Sequence, residues 1–149
     1  MSLSESQIQR YSRHVLLPDV GGVGQRRLLA STAAFVLGPK RPASAAALAY
    51  LAAAGVGTLE VAGAEDVITE GEVTGNIVLG VEDAGRERLA AVRARIAALN
   101  PDVRVTAGEA PGALRIEPDE PDDPTDVAAA LVAGGRAAVG AIVTLSRRP

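Results

Sequence analysis

Residues 36–44, Val-Leu-Gly-Pro-Lys-Arg-Pro-Ala-Ser, decide how this chain is read. An apolar stretch, residues 33–37, leads into them, and an alanine-rich stretch, residues 43–54, leads out. The first is predicted as a strand and the second as a helix, joined by a turn at Gly38. A strand–turn–helix junction is the scaffold that cradles phosphates: glycines let the backbone come close to the anion, and the helix N-terminus aims unpaired N–H groups at it. Here only Gly38 stands in the turn, followed by Pro39, Lys40, Arg41 and Pro42. Each proline removes an N–H donor and fixes φ. The sequence keeps the scaffold and loses much of the cradle.

Working outward, Ser4 and Gln7 have the spacing of a capping box for a short helix that places Ile8, Tyr11 and Val15 on neighbouring turns. Pro18 ends it, and a second short helix is predicted over residues 25–29. Pro42 suits the first turn of the helix over 43–54, where its missing N–H would have no partner. Gly55 is the expected C-terminal cap, and residues 58–62 form a second strand. Residues 63–84 are glycine-rich, with Ile77-Val-Leu79 either a short strand or a clip. Leu89, Val92, Ile96 and Leu99 line one face of a helix over 85–99, which Asn100-Pro101 stops before a third strand over 103–106.

Residues 109–126 hold seven acids and four of the nine prolines, and read as a mobile acidic loop in which Leu114-Arg-Ile116 could add a brief strand. Pro124 is expected to open a helix with Val127, Leu131 and Val132 inward. Gly134-Gly135 turns it, and residues 137–145 are predicted as a buried fourth strand. Right-handed crossovers then give an α/β, Rossmann-like parallel sheet of strand order 3-2-1-4. The expected organisation is an N-terminal helical arm over 1–30 and a truncated domain over 31–149.

A chain of 149 residues suffices for one core without staples. It has no cysteine, which excludes disulfides and thiolate ligands, and a single histidine, His14, which leaves little for a His-built metal site. The net charge of −3 argues against a general nucleic-acid partner. No apolar run is expected to reach the length of a membrane span, and the polar N-terminus does not read as a signal peptide, so the expected location is cytoplasmic. Only Tyr11, Phe35 and Tyr50 are aromatic, so the core must be built from Ala, Val and Leu. Each small side chain buries little area, at about 25 cal/mol per Å², which favours an oligomer.

Several motifs carry a family resemblance. Ile8-Gln-Arg-Tyr-Ser-Arg-His-Val-Leu-Leu-Pro18, Gly21-Gly-Val-Gly-Gln25, Tyr50-Leu-Ala-Ala-Ala-Gly-Val-Gly57 and Leu99-Asn-Pro-Asp-Val-Arg-Val105 together resemble the ThiF/MoeB/HesA family over residues 8–106. These proteins are similar to ubiquitin-activating enzymes and adenylate the C-terminus of a ubiquitin-like sulfur carrier. The resemblance implies ATP and magnesium as cofactors, a dimer, and a carrier protein as partner. It also implies site positions. The family's glycine-rich loop falls on residues 38–44, its ribose-binding acid near Gly63, its N-x-x-R-Q run on residues 71–75, and its phosphate lysine on Arg88. The arginine that crosses from the arm to the neighbouring subunit's nucleotide falls on Arg13.

The chain departs from the family at most of these places. Residues 71–75 read Gly-Glu-Val-Thr-Gly, and the later metal-binding aspartate and the cysteines have no counterpart. The candidate cofactor-binding residues are therefore those of a vestigial nucleotide site: Gly38, Lys40, Arg41, Glu65 (with Asp66 beside it), Arg88 and Arg13, with no catalytic or metal-binding residue nominated. The expected function is that of a degenerate, non-catalytic assembly or regulatory partner, forming a homodimer or a heterodimer with a full-length relative. Two alternatives stay open. One is an adenylyltransferase with a rearranged site built on Lys40, Arg41, Arg88 and Glu65, which alone would need ATP and magnesium. The other is an anion-binding module at the Lys40–Arg41 turn.

Overall fold

The structure, a computed structural model, describes residues 2–63, 66–108 and 110–148. Strand β1 (Thr32–Val36) runs into α4 (Pro42–Ala54) and back to β2 (Thr58–Ala62). After the short α5 (Glu70–Val73), α6 (Arg88–Leu99) leads to β3 (Arg104–Ala107) and then β4 (Leu114–Arg115). Helix α7 (Val127–Ser146) ends the described chain. All strand pairings are parallel, in the order β3-β2-β1-β4, with Phe35 level with Val61 and Leu59 level with Val105.

The first βαβ unit forms as its sequence dictates. Pro42 stands in the first turn of α4, and Gly55 closes the helix at φ +84. Leu48 and Leu51 from α4, Leu59 and Val61 from β2, and Ile96 from α6 are buried in one core. Leu99, expected on the inner face of α6, is 51% exposed, and the chain buries Asn100 instead. Of the 77–79 triplet, Leu79 is buried and Ile77 exposed, with no strand, so the segment is a clip.

The strand order matches the expectation, but a different segment supplies the fourth strand. Leu114 and Arg115 pair with Ala33 and Ala34, whereas residues 137–145, expected as a strand, lie inside the single 20-residue helix α7. The glycines do not turn this helix. A Cβ at Gly134 would lie 2.5 Å from the Ala43 carbonyl oxygen and 2.7 Å from Ala46 Cβ, so the bare glycine is what lets α7 press against α4. A run of small apolar residues carries no period that separates strand from helix, and here the tight packing against α4 decides. The buried face of α7 is Ala130, Gly134, Ala138, Ala141 and Leu145, while Val132, expected inward, is 61% exposed. By length and composition α7 also reaches what a membrane span needs, against the sequence-based expectation, with 22% of its most apolar window buried.

The arm is held against its own domain. It comprises α1 (Glu5–Arg10), α2 (Ser12–Val15) and α3 (Gly21–Ala30), the last starting earlier than the 25–29 expected. Ser4 and Gln7 form the anticipated capping box. Of Ile8, Tyr11 and Val15, only Tyr11 is buried. Its hydroxyl donates to Asp102 Oδ2 at 3.0 Å and accepts from Asn100 Nδ2 at 2.9 Å. Its ring lies against Gly55, where a Cβ would come within 2.6 Å. Arg10 reaches the same Asp102 at 2.6 Å.

Two predictions follow from this packing. Gly135, unlike Gly134, has only the Tyr50 ring near its missing Cβ, at 3.5 Å. Gly135→Ala is expected to stabilise the protein by about 0.5–1 kcal/mol through helix propensity. Gly134→Ala is expected to destabilise by about 1–3 kcal/mol by forcing α4 and α7 apart. Urea denaturation of both variants checks the contrast, and equal effects would contradict the close contact.

Burial, together with the Asp102 carboxylate beside it, pushes the Tyr11 hydroxyl up to about 12. Stability from this group is whole below the unfolded value of 10.0 and is lost as pH rises towards 12, because the unfolded chain gives up the proton first. The informative pH range is therefore from about 10 to about 12. Urea midpoints measured across it should fall in the wild type and stay level in Tyr11→Phe, which starts lower by about 1–3 kcal/mol because Asn100 and Asp102 lose a buried partner.

Candidate functional site

The carboxyl ends of β1 and β2 and the N-terminus of α4 form the place where an α/β sheet of this kind takes a ligand. At α4 the N-cap residue, Arg41, supplies no side-chain cap, and Pro42 has no N–H. The free donors are the N–H groups of Ala43 and Ser44. Both are taken by Glu120. Its Oε2 accepts from Ala43 N at 2.8 Å, and its Oε1 accepts from Ser44 N at 2.9 Å and from the Ser44 hydroxyl at 2.5 Å. A carboxylate here gains both charge-assisted hydrogen bonds and the positive end of the helix dipole. The acidic segment thus caps the helix that the turn itself leaves uncapped.

Below the turn sits Arg88, the first residue of α6, 1% exposed. Its Nε and Nη2 donate to the two carboxylate oxygens of Glu72, each at 2.7 Å, and its Nη1 donates to the Gly63 carbonyl at 2.7 Å. Hydrogen bonding to Glu72 raises the guanidinium's affinity for its proton, against the opposing effect of burial. Asp66 stands at the rim, 3.8 Å from Nη1. Gly63 has φ +73, and a Cβ there would lie 2.5 Å from the Leu37 carbonyl oxygen. This backbone therefore holds no side chain at Gly63, and no carboxylate. The space left between Gly38, Arg41, Leu48, Glu72 and Arg88 is a cavity of about 10 Å³, room for roughly one water.

Asp83 forms a second buried knot. It accepts from Gly80 N at 3.0 Å, Arg86 Nη1 at 2.6 Å, and Arg95 Nε and Nη2 at 2.9 and 2.8 Å. Burial pushes its carboxyl up, but the Gly80 N–H and the two guanidinium groups together hold it below the usual aspartate range. Arg95 also pairs with Glu82. This aspartate, five residues before Arg88, fixes the turn that leads into α6.

The expected site residues separate on this structure. Gly38, Arg41 and Arg88 line one cavity. Lys40 is exposed on the turn, and Glu65 lies outside the described residues. Arg13 is exposed on α2 and lines a different, open pocket with Gln9, Ser12 and His14. Among the described residues, no three His, Asp or Glu side chains come together as a metal site. The sequence did not point to Glu72 or Glu120. Glu72 and Arg88 are 16 residues apart, and Glu120 and Ser44 are 76 apart, so no local period marks either pair.

The sequence pattern of the ThiF family matches residues 11–131. Over 122 residues the chain is 38% identical to the probable adenylyltransferase/sulfurtransferase MoeZ of Mycobacterium tuberculosis, a match covering 82% of this chain and 29% of that protein. Over 105 residues it is 37% identical to the sulfur carrier protein ThiS adenylyltransferase of Escherichia coli, covering 70% and 41% respectively. Among solved structures, that of PaaA matches with a TM-score of 0.63 and 26% identity over 71% of this chain and 34% of the other. The chain thus spans well under half the length of the curated relatives it matches.

The Arg88–Glu72 pair makes a sharp prediction. Arg88→Met leaves Glu72 buried and unpaired, and is expected to cost about 3–5 kcal/mol. The double variant Arg88→Met/Glu72→Leu should recover most of that loss, since an apolar pair needs no compensating charge. Thermal and urea unfolding of the three proteins tests the coupling, and additive losses would contradict it.

Proposed function

This chain belongs to the ThiF family, and on that premise we propose that it serves as a non-catalytic assembly or regulatory partner rather than as an adenylating enzyme. The observation that carries the reading is Glu120, whose carboxylate engages the Ala43 and Ser44 N–H groups at the head of α4. A nucleotide phosphate entering there would first have to displace this intramolecular anion. Arg88, which takes the position of the family's phosphate lysine, is already paired with Glu72, and Gly63 has no room for the acid that would hold a ribose.

The magnitudes favour loss of binding. A hydrogen bond to a charged group contributes roughly 1.5–3 kcal/mol, and micromolar affinity corresponds to about 8 kcal/mol. Three or four such bonds missing at once remove most of it. Adenylation further requires charge stabilisation around the α-phosphate, commonly by a metal ion. The residues gathered at the α4 end do not fit that demand, because the cations there already have partners or face solvent and the nearest carboxylates are engaged by N–H or guanidinium groups.

The partners proposed are a second copy, a full-length relative, or the ubiquitin-like sulfur carrier on which such a relative acts. The identity to MoeZ keeps one second reading in play, an adenylyltransferase with a rearranged site. Calorimetry with ATP and magnesium separates the two. No binding tighter than about 100 μM, or about 5.5 kcal/mol, is expected, and ATP–pyrophosphate exchange should be absent. Glu120→Ala is expected to stay silent as well, because Arg88 remains engaged. A low-micromolar dissociation constant for the wild type would overturn the reading, and binding gained only in Glu120→Ala would make Glu120 a plug on a working site.

A further inference from the structure

At the amino ends of β1 and β4, the opposite end of the sheet from the α4 turn, lies an open pocket of about 340 Å³. Arg27 and Arg148 line it, together with Ser31, Thr32, Pro111 and Ala113. Helix polarity puts the two arginines there. Arg27 stands in the last turn of α3 and Arg148 just past the end of α7, where the negative end of a helix favours a cation. Each then uses a single nitrogen on the backbone. Arg27 Nη1 donates to the Ser146 carbonyl at 3.2 Å, and Arg148 Nη1 to the Gly112 carbonyl at 3.4 Å. Neither meets a carboxylate among the described residues. In this they differ from Arg10, Arg86, Arg88 and Arg95, which acids hold.

The start of β1 adds donors. The β1–β4 register begins with Ala33 level with Leu114, and Ile116 N donates to the Ala34 carbonyl at 2.9 Å. Alternation turns the Thr32 N–H to that same side, one step ahead of the ladder. The Thr32 hydroxyl has no partner among the described residues, whereas the Ser31 hydroxyl already donates to the Arg27 carbonyl at 2.6 Å. No acid among the described residues lines the pocket.

We propose that this pocket binds a small phosphomonoester, its phosphate held by Arg27, Arg148 and Thr32 and its organic part lying on Pro111 and Ala113. The donor set selects the ligand. Guanidinium groups and a backbone N–H only donate, so the group that meets them must accept. Two cations without counter-ions call for a dianion, which a phosphate ester becomes near neutral pH. The donors come from three places, the end of α3, the start of β1 and the residue past α7. A tetrahedral head with three terminal oxygens suits such a set, whereas a flat carboxylate suits one fork in one plane. Partly solvated contacts of this kind support a dissociation constant of about 1 mM. The site stands apart from the α4 end, and neither the non-catalytic reading nor its ATP test at about 100 μM depends on it.

Amide NMR of the whole 149-residue protein tests the site, with inorganic phosphate and glycerol phosphate titrated at constant ionic strength. The Thr32 and Gly112 signals are expected to shift and to saturate with a dissociation constant of about 1 mM. Arg148→Gln, at an exposed position, should weaken binding at least tenfold with the melting temperature unchanged, and so tests the site without risk to the fold. Arg27→Gln should weaken it as much, and Arg27→Lys, which keeps the charge and loses the fork, should weaken it less. Lys40→Ala/Arg41→Ala, at the other end of the sheet, should titrate like the wild type. Succinate, a dianion with flat carboxylates, should bind several-fold more weakly than glycerol phosphate. No saturable shift up to about 20 mM, shifts confined to residues 38–44, or a titration indifferent to Arg148→Gln would each overturn the proposal. Succinate binding as tightly as glycerol phosphate would overturn the choice of ligand.

Discussion

A guanidinium buried to 1% exposure constrains everything at the carboxyl ends of β1 and β2. Its charge survives out of water only with close partners, and its fork needs acceptors in the right plane. Glu72 supplies the plane, and the Gly63 carbonyl takes the remaining nitrogen. Three separate pieces of chain are thereby tied together: the exit of β2, the short α5 and the start of α6. Asp83 forms a separate knot just before α6 by holding Arg86 and Arg95. The cavity beneath the β1–α4 turn is small because these pairs fill the space.

The same substitution recurs at α4. A helix N-terminus after a strand needs an anion or a cap, and the chain offers neither from the turn, since Arg41 and Pro42 stand there. Glu120 comes from far along the sequence to fill the need. Acidic groups from within the chain thus occupy both the helix N-terminus and the buried cation. These features act through one physical rule: a buried donor or charge is satisfied by whatever partner lies nearest.

How much of this was legible in the sequence depends on range. The β1–α4–β2 unit was readable from local signals, because Pro42, Gly55 and the flanking apolar runs each act within a few residues. The fourth strand was not. Gly134-Gly135 has the composition of a turn, and only the Ala43 carbonyl opposite Gly134 shows that the glycine serves a helix–helix contact. The site divides in the same way. Gly38, Arg41 and Arg88 were found by their place in the chain, and they do meet around one cavity. Glu72 and Glu120 were missed because their partners are distant in sequence, and a segment holding seven acids gives no reason to single one out. Arg88 was read as a candidate phosphate ligand, but neither its burial nor its pairing with Glu72 was legible. Burial is decided by the surrounding fold.

The reliance on alanine and glycine has a last consequence for the surface. Ala43, Ala46, Gly134, Ala138 and Ala141 bring α4 and α7 close, so the contact gains density while each residue buries little apolar area. Where α7 meets α4 it turns its small residues inward, Leu145 near its end apart, and several larger ones are left over. On α7 these are Val132, Val139 and Val143, which face solvent. A leucine-rich core would have drawn side chains of that size inside. The apolar outer stripe is thus the counterpart of the close inner contact, and one composition produces both.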